Sequence, residues 1–277
     1  MSSKTELHLQ NCDCVAGMQR LPNQSIDICV TSPPYNLGIK YGRYCDTNST
    51  ADYLKWTREW VSEVHRLLSD NGSFFLNFGS SPSNPTLPYE LVTELRKLFV
   101  LQNTIHWIKS ISVETRDGEL VSAGHFKPIN SERFITDCHE FIFHLTKAGR
   151  TTLDRLAVGV PYVHKSNIRR WSHTEGRDKR CRGNVWFIPY ETIQNRKDER
   201  PHPASFPKEL PKMCIQLHGR RDGLAMLDPF LGIGNSALAA VECGVSRFIG
   251  FELDPVYLEE AGARLNAQQA QLNLLPP

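Results

Sequence analysis

The sequence predicts an α/β fold built on a mostly parallel sheet with helices on both faces, and three observations carry that prediction. Apolar runs of strand length alternate with longer stretches whose apolar residues recur at helical spacing, the order that parallel strands joined by crossover helices produce. Two of the runs, Ile26-Asp27-Ile28-Cys29-Val30 near the start and Leu224-Ala225-Met226-Leu227-Asp228 near the end, pass straight into turn-forming residues. A third, Arg247-Phe248-Ile249-Gly250-Phe251-Glu252, stops at an acid.

Taken in order, residues 26–30 form the first of these strands. Ser49-Thr50-Ala51-Asp52 opens a helix as a capping box does, and Tyr53, Thr57, Trp60, Val61, Val64, Leu67 and Leu68 continue it until Asn71-Gly72 stops it. Trp56 and Trp60 read as core or groove packing on that helix. Residues 73–78 follow as a strand, then a proline-rich turn through Pro82, Pro85 and Pro88, a helix over 91–98, and strands over 102–108 and 138–145. The polar stretch 110–136, with Gly118 and Gly124, reads as a long loop or hairpin near the active face. After residues 224–228 come a glycine turn and a helix over 237–243. There are no internal repeats.

Length and composition agree with this layout. With 277 residues, 40% of them apolar, the chain can bury one sizeable core plus a small insertion. A net charge of +2 excludes a polycation as a whole. No stretch approaches the length of a membrane span, and the N-terminus lacks an apolar signal region, so the expected location is cytoplasmic, at the nucleoid when bound to DNA. Eight cysteines without a C-x-x-C pair are expected to be reduced and structural, with no metal site.

The chemistry is concentrated in the turns. Thr31-Ser32-Pro33-Pro34-Tyr35 follows the first strand directly, and its two prolines fix φ near about −65° and remove two backbone donors. The loop is therefore stiff, with bare carbonyl acceptors and an aromatic ring, which suits an amino group on a flat ring. The two amine hydrogens would take Ser32 and the Pro33 carbonyl as acceptors, and the ring face would take Tyr35. At the far end, Gly232 and Gly234 permit close backbone approach to a ligand, and Glu252 can accept both hydroxyls of a ribose. Gly232-x-Gly234-x-x-Ala237 is also a loose dinucleotide fingerprint, which at this point leaves a nicotinamide enzyme open. Residues 147–200 are basic, and Arg169, Arg170, Arg177, Lys179, Arg180 and Arg182, with Trp171 and His173 among them, fit phosphate neutralisation and guanine recognition. A solvated surface loop is the plain alternative.

Together these residues resemble the beta-class amino-methyltransferases of DNA, which carry an SPPY or DPPY loop before a DPFxGxG turn. The resemblance covers nearly the whole chain. Asn11-Cys12-Asp13-Cys14 with Leu21-Pro22 resembles the opening segment of that family, Asn103-Thr104-Ile105-His106-Trp107-Ile108-Lys109 its strand with a W-x-K ending, and His202-Pro203-Ala204-Ser205-Phe206-Pro207 its HPAxFP element. The resemblance implies a Rossmann-like class I methyltransferase fold in circularly permuted motif order. Residues 1–146 would then be the catalytic half, 147–200 the target-recognition region and 201–277 the cofactor-binding half.

It further implies S-adenosyl-L-methionine as cofactor, double-stranded DNA as substrate, a homodimer and a cognate restriction endonuclease. Carried over by position, Ser32, Pro33, Pro34 and Tyr35 would be catalytic. Asp228, Pro229, Phe230, Gly232, Gly234, Asn235 and Ser236 would surround the methionine part of the cofactor, Glu252 its ribose, and Asp13 with Cys14 its adenine. His202 and Ala204 would lie on the ligand side. In this family a serine at the first loop position tends to accompany cytosine-N4 methylation, so that is the leading reading. Adenine-N6 methylation on the same scaffold is the runner-up, and a non-catalytic module binding cofactor and DNA is the alternative of another class. The intact Ser32 to Tyr35 loop argues against the module, and the chain has no Pro-Cys dipeptide of the kind that carbon-5 cytosine methylation uses.

Overall fold

The structure is a computed structural model and describes residues 5–39, 43–44, 46–82, 84–124, 131–189 and 205–274. Its elements in chain order are β1 (Glu6–Asn11), α1 (Cys14–Met18), β2 (Ile26–Thr31), α2 (Thr50–Leu67), β3 (Leu68–Phe78), α3 (Leu87–Leu95), β4 (Val100–Ile108), β5 (Ser110–Glu114) and β6 (Leu120–Gly124). They continue with β7 (His139–Thr146), α4 (Ser166–Arg170), β8 (Val185–Phe187), α5 (Glu209–His218), β9 (Ala225–Asp228), α6 (Asn235–Cys243), β10 (Arg247–Glu252) and α7 (Pro255–Leu274).

Eight strands form one sheet in the order β1-β10-β9-β2-β3-β7-β4-β8. All neighbours are parallel except β7, which runs antiparallel between β3 and β4. Because side chains alternate across a strand, each buried strand feeds two cores. Ile28, Val30, Phe75, Met226 and Phe248 point to the face covered by α5, α6 and α7, where Leu210, Ile215, Ala239 and Ala261 pack. Cys29, Phe74, Leu76, Leu227 and Phe251 point to the other face and meet Trp60, Val64 and Leu91 from α2 and α3. The doubly covered sheet is the class I methyltransferase architecture that the sequence predicts.

Helix α2 starts as its sequence requires. Ser49 caps it by accepting from the Asp52 amide at 3.1 Å, with Asp52 in the first turn. It ends at Leu67, earlier than the Asn71-Gly72 stop that the sequence suggests. Leu68 turns extended, at ψ 135°, and pairs with Ile26. Leu68 is buried in either conformation, so its apolar spacing cannot tell the last helical turn from the first strand residue.

The polar stretch after β4 holds a two-stranded hairpin, β5 against β6, registered from Ser110 opposite Gly124 to Glu114 opposite Leu120. Residues 125–130 lie outside the described residues. Strand β8 comes from within the basic segment 147–200 and extends the main sheet beside β4, carrying Trp186 and Ile188 into the core with Val158. That segment is thus part scaffold.

A polar cluster is buried between β3, β7 and α5. Ser73 Oγ lies 3.0 Å from His144 Nε2 and 2.9 Å from His218 Nδ1. The Asn103 amide donates to His144 Nδ1 at 2.9 Å, and Arg221 reaches His218 Nε2 at 3.3 Å while donating to Asp27 at 2.6 Å. Burial holds both imidazoles well below the usual histidine range, His144 at about 3 with His218 adding to the effect, and His218 at about 4 with Arg221 adding to it.

Candidate active site

The sheet order reverses between β9 and β2, since the chain builds outward from β9 through β10 and from β2 through β3 in opposite directions. Loops leaving the carboxyl ends of two such strands diverge and leave a crevice between them. Here the strands are adjacent, with Ile28 opposite Met226 and Cys29 opposite Leu227. The proline loop after β2 and the glycine turn after β9 line one shared cavity, although about two hundred residues separate them. Ser32, Pro33, Pro34 and Tyr35 form one side of it; Pro229, Phe230, Gly232 and Asn235 form the other; Asp13, Cys14 and Glu252 close the end by β1 and β10.

The proline loop is fixed from below and behind. Tyr53 on α2 donates to the Pro34 carbonyl at 2.7 Å, which leaves the Pro33 carbonyl without a hydrogen bond among the described residues. Tyr35 Oη lies 2.7 Å from Ser32 Oγ and donates to Glu140 Oε2 on β7 at 3.0 Å. Its ring packs on Phe78, with centroids 4.6 Å apart. Beyond Tyr35, the buried Asp46 carboxylate gathers the amides of Asn36, Leu37 and Ile39 at 2.8 to 3.1 Å. Burial raises the Asp46 carboxyl above its ordinary value, and these amides pull it back.

The glycine turn is fixed by two acids with different tasks. Glu252 lines the cavity and accepts from the Gly232 amide on Oε2 and the Asp254 amide on Oε1, both at 2.8 Å. Burial pushes its carboxyl up, and those two amides oppose the shift. Asp228 stands behind the cavity wall, fully buried. It accepts from Thr31 Oγ1 at 2.5 Å, Ser236 Oγ at 2.5 Å and the Phe230 amide at 3.0 Å. Burial raises it to about 6 despite these donors. Its position, one strand over from the residue preceding Ser32, makes it the tie between the two loops. Gly234 and Ser236 also lie off the lining; Gly234 has φ +82°, and an added Cβ there would come within 2.9 Å of Ala261 Cβ on α7. Gly234→Ala is expected to lower stability by on the order of 2 kcal/mol from strain and overpacking, read as a drop in melting temperature.

A model of the N6/N4 DNA methylase family matches residues 26–263, most of the chain. The chain belongs to that family. Among curated proteins, it is 28% identical over 280 residues to the type II methyltransferase M.ScaI of Streptomyces caespitosus, covering 97% of this chain and 84% of that one. It is 25% identical over 261 residues to the DNA adenine methyltransferase YhdJ of Escherichia coli strain K12, covering 92% and 81%. Among solved structures, the cytosine-N4-specific PvuII DNA methyltransferase superposes with a TM-score of 0.68 at 17% identity, covering 98% of this chain and 93% of that one. A DNA modification methylase of Thermus thermophilus, solved with S-adenosyl-L-methionine, gives 0.63 at 24% identity, covering 95% and 94%.

This methylase therefore transfers methyl groups from S-adenosylmethionine to an exocyclic amine in DNA. Its cavity fits that cofactor. A nucleoside needs an acid for its ribose and apolar walls for its base, and Glu252 beside Phe230 meets both needs with two lone pairs still free of the backbone amides. Asp13 caps α1 through Oδ1, accepting the Ala16 amide at 3.0 Å, and lines the same end.

Several lining residues carry no motif signal. Glu140, Asn77, Tyr44 and Trp56 all face the cavity, and Trp56 also packs on Phe230 at 5.6 Å. Trp56 thus serves as groove packing, as its helical spacing suggests, and also as cavity wall. His202 and Ala204 lie outside the described residues. The hairpin β5–β6 contributes nothing to the lining. Of the six basic residues expected at DNA, none lines the cavity. Arg169 and Arg170 are exposed at the end of α4, Arg177 pairs with Glu175 at 2.5 Å, Arg180 bridges Val160 by backbone, and Arg182 Nε donates to the Val158 carbonyl at 2.9 Å. Lys179 is exposed. Among the described residues no cluster could hold a metal ion, and no helix is long and apolar enough to cross a membrane.

Proposed function

We propose that this methylase modifies the N4 amine of cytosine in double-stranded DNA, with the target base turned out of the helix into the cavity. The observation that carries this reading is the Ser32 hydroxyl at the cavity wall, a neutral acceptor where an adenine-directed loop tends to have an acid or amide. The bound cofactor supplies an electrophilic methyl group. Ser32 Oγ and the Pro33 carbonyl hold the two amine hydrogens, which favours the pyramidal geometry that frees the nitrogen lone pair. Tyr35 and Pro34 confine the ring so that the nitrogen faces the Phe230 to Gly232 wall. Such positioning accounts for about 7 to 11 kcal/mol of barrier in well-oriented reactions. Turning the base out costs a few kcal/mol, offset by stacking worth roughly 1 to 3 kcal/mol.

The roles of Asp13, Glu252 and the glycine turn toward the cofactor belong to the same proposal, as does DNA recognition by residues 147–200 through Arg169, Arg170, Arg177 and Lys179. Relatives named as type II methyltransferases support a cognate restriction endonuclease, and the small recognition region supports action as a homodimer. Adenine-N6 methylation is the second reading, favoured by the adenine-directed relative from Escherichia coli. Labelled S-adenosylmethionine with duplex DNA, digested to nucleosides and analysed by mass spectrometry, is expected to give N4-methylcytosine. N6-methyladenine alone would transfer the activity to the second reading.

A further inference from the structure

The phenol of Tyr35 sits between Ser32 Oγ, at 2.7 Å, and Glu140 Oε2, to which it donates at 3.0 Å. A phenol has one hydrogen, and a carboxylate has none to give. With the Tyr35 hydrogen committed to Glu140, the short contact to Ser32 must be made by the serine's own hydrogen. Ser32 Oγ is then left with lone pairs only. We propose that Glu140 is the positioning residue of the transfer: through Tyr35 it fixes the Ser32 hydroxyl as an acceptor for the target amine. The inference rests on the reading of Ser32 as that acceptor.

Glu140 is itself held so that its direction cannot change. Lys109 Nζ at the end of β4 meets Oε1 at 2.9 Å. Asn77 Nδ2 meets Oε2 at 2.9 Å and spends its other hydrogen on the Phe141 carbonyl at 3.2 Å, which also fixes the orientation of the Asn77 amide. Three donors from three strands and loops therefore converge on one carboxylate. Gly79 makes room for the arrangement, because an added Cβ would stand 3.0 Å from Tyr35 Cε2 and 3.1 Å from Glu140 Cγ. An uncharged amide in place of Glu140 allows the phenol to turn round and donate to Ser32. The serine hydrogen then points at the amine, donor against donor. Stacking of Tyr35 on a base needs none of this.

The test compares Tyr35→Phe and Glu140→Gln, singly and together, by steady-state kcat and KM on unmethylated duplex genomic DNA and by calorimetric binding of S-adenosylmethionine. Each single variant is expected to lower kcat about tenfold, the effect of one misdirected hydrogen bond. Cofactor affinity and KM for DNA stay within about twofold, because the change is made at one hydroxyl. The double variant is expected to fall no further than either single one, since both cut the same chain. Losses that multiply in the double variant, or full kcat in Tyr35→Phe, would overturn the inference; the latter measurement decides even if Glu140→Gln does not fold. Full turnover in Ser32→Ala would instead defeat the acceptor reading of Ser32, and this inference with it.

Discussion

Ser32→Ala is expected to lose roughly a hundredfold in turnover while binding the cofactor as the native protein does, whereas Gly232→Val is expected to lose the cofactor first. The first effect follows from removing an acceptor that acts on the reacting amine, the scale found when one preorganised hydrogen-bonding group is deleted. Ser32 makes its described hydrogen bond to Tyr35, away from the glycine turn, so its loss leaves the opposite wall intact. Gly232 is different. It sits at φ +52°, in the left-handed region that a β-branched residue adopts only under strain, and its amide orients Glu252. Valine there disturbs the backbone, the acid and the lining together. Calorimetry with S-adenosylmethionine and single-turnover kinetics separate the two variants, and equal loss of cofactor affinity in both would undo the division of labour between the loops.

Acidification is expected to destabilise the fold well before ordinary carboxylates titrate. His144 and His218 are neutral in the folded protein down to about 3 and about 4, while in the unfolded chain they take up protons near 6.5. Over that window the unfolded state binds more protons, so stability rises with pH and is lost as pH falls below about 6.5. Each histidine contributes up to about 1.4 kcal/mol per pH unit. Asp228 runs the other way. Its folded carboxyl keeps a proton up to about 6 that the unfolded chain releases near 4, so its burial costs less as the pH falls through that range. Glu252 is shifted in the same direction. Two histidines outweigh Asp228, and urea melts between pH 7 and pH 5 are expected to show a falling stability. Asp228→Asn removes the opposing contribution and steepens the fall. A flat native profile, or a shallower one in the variant, would contradict this assignment.

The elements that meet at the cavity were largely legible in the sequence because each carries its own local signal. A strand ending in two prolines, a strand ending in a glycine turn and a strand ending in an acid define the carboxyl edge of a parallel sheet without any tertiary information. Glu140, Asn77 and Lys109 were not legible as a group. They meet because β7 is inserted antiparallel between β3 and β4, bringing Asn77 and Phe141 into neighbouring strands and Lys109 beside Glu140, and no local pattern announces that pairing. Asp228 shows the opposite difficulty. An acid at a strand end before a glycine turn looks like a ligand group, yet Thr31, Ser236 and the Phe230 amide satisfy it inside the wall. The basic segment hid strand β8, because three residues with one buried tryptophan are too few to show a period.

The central claim is that the proline loop and the glycine turn form one reaction chamber. A crystal structure with S-adenosylhomocysteine, the product of methyl transfer, tests it most directly. The ligand is expected in the cavity, touching the Phe230 to Gly232 wall and Glu252, with its sulfur facing Ser32. A ligand bound without contact to Glu252, or with its sulfur turned away from the proline loop, would contradict the account.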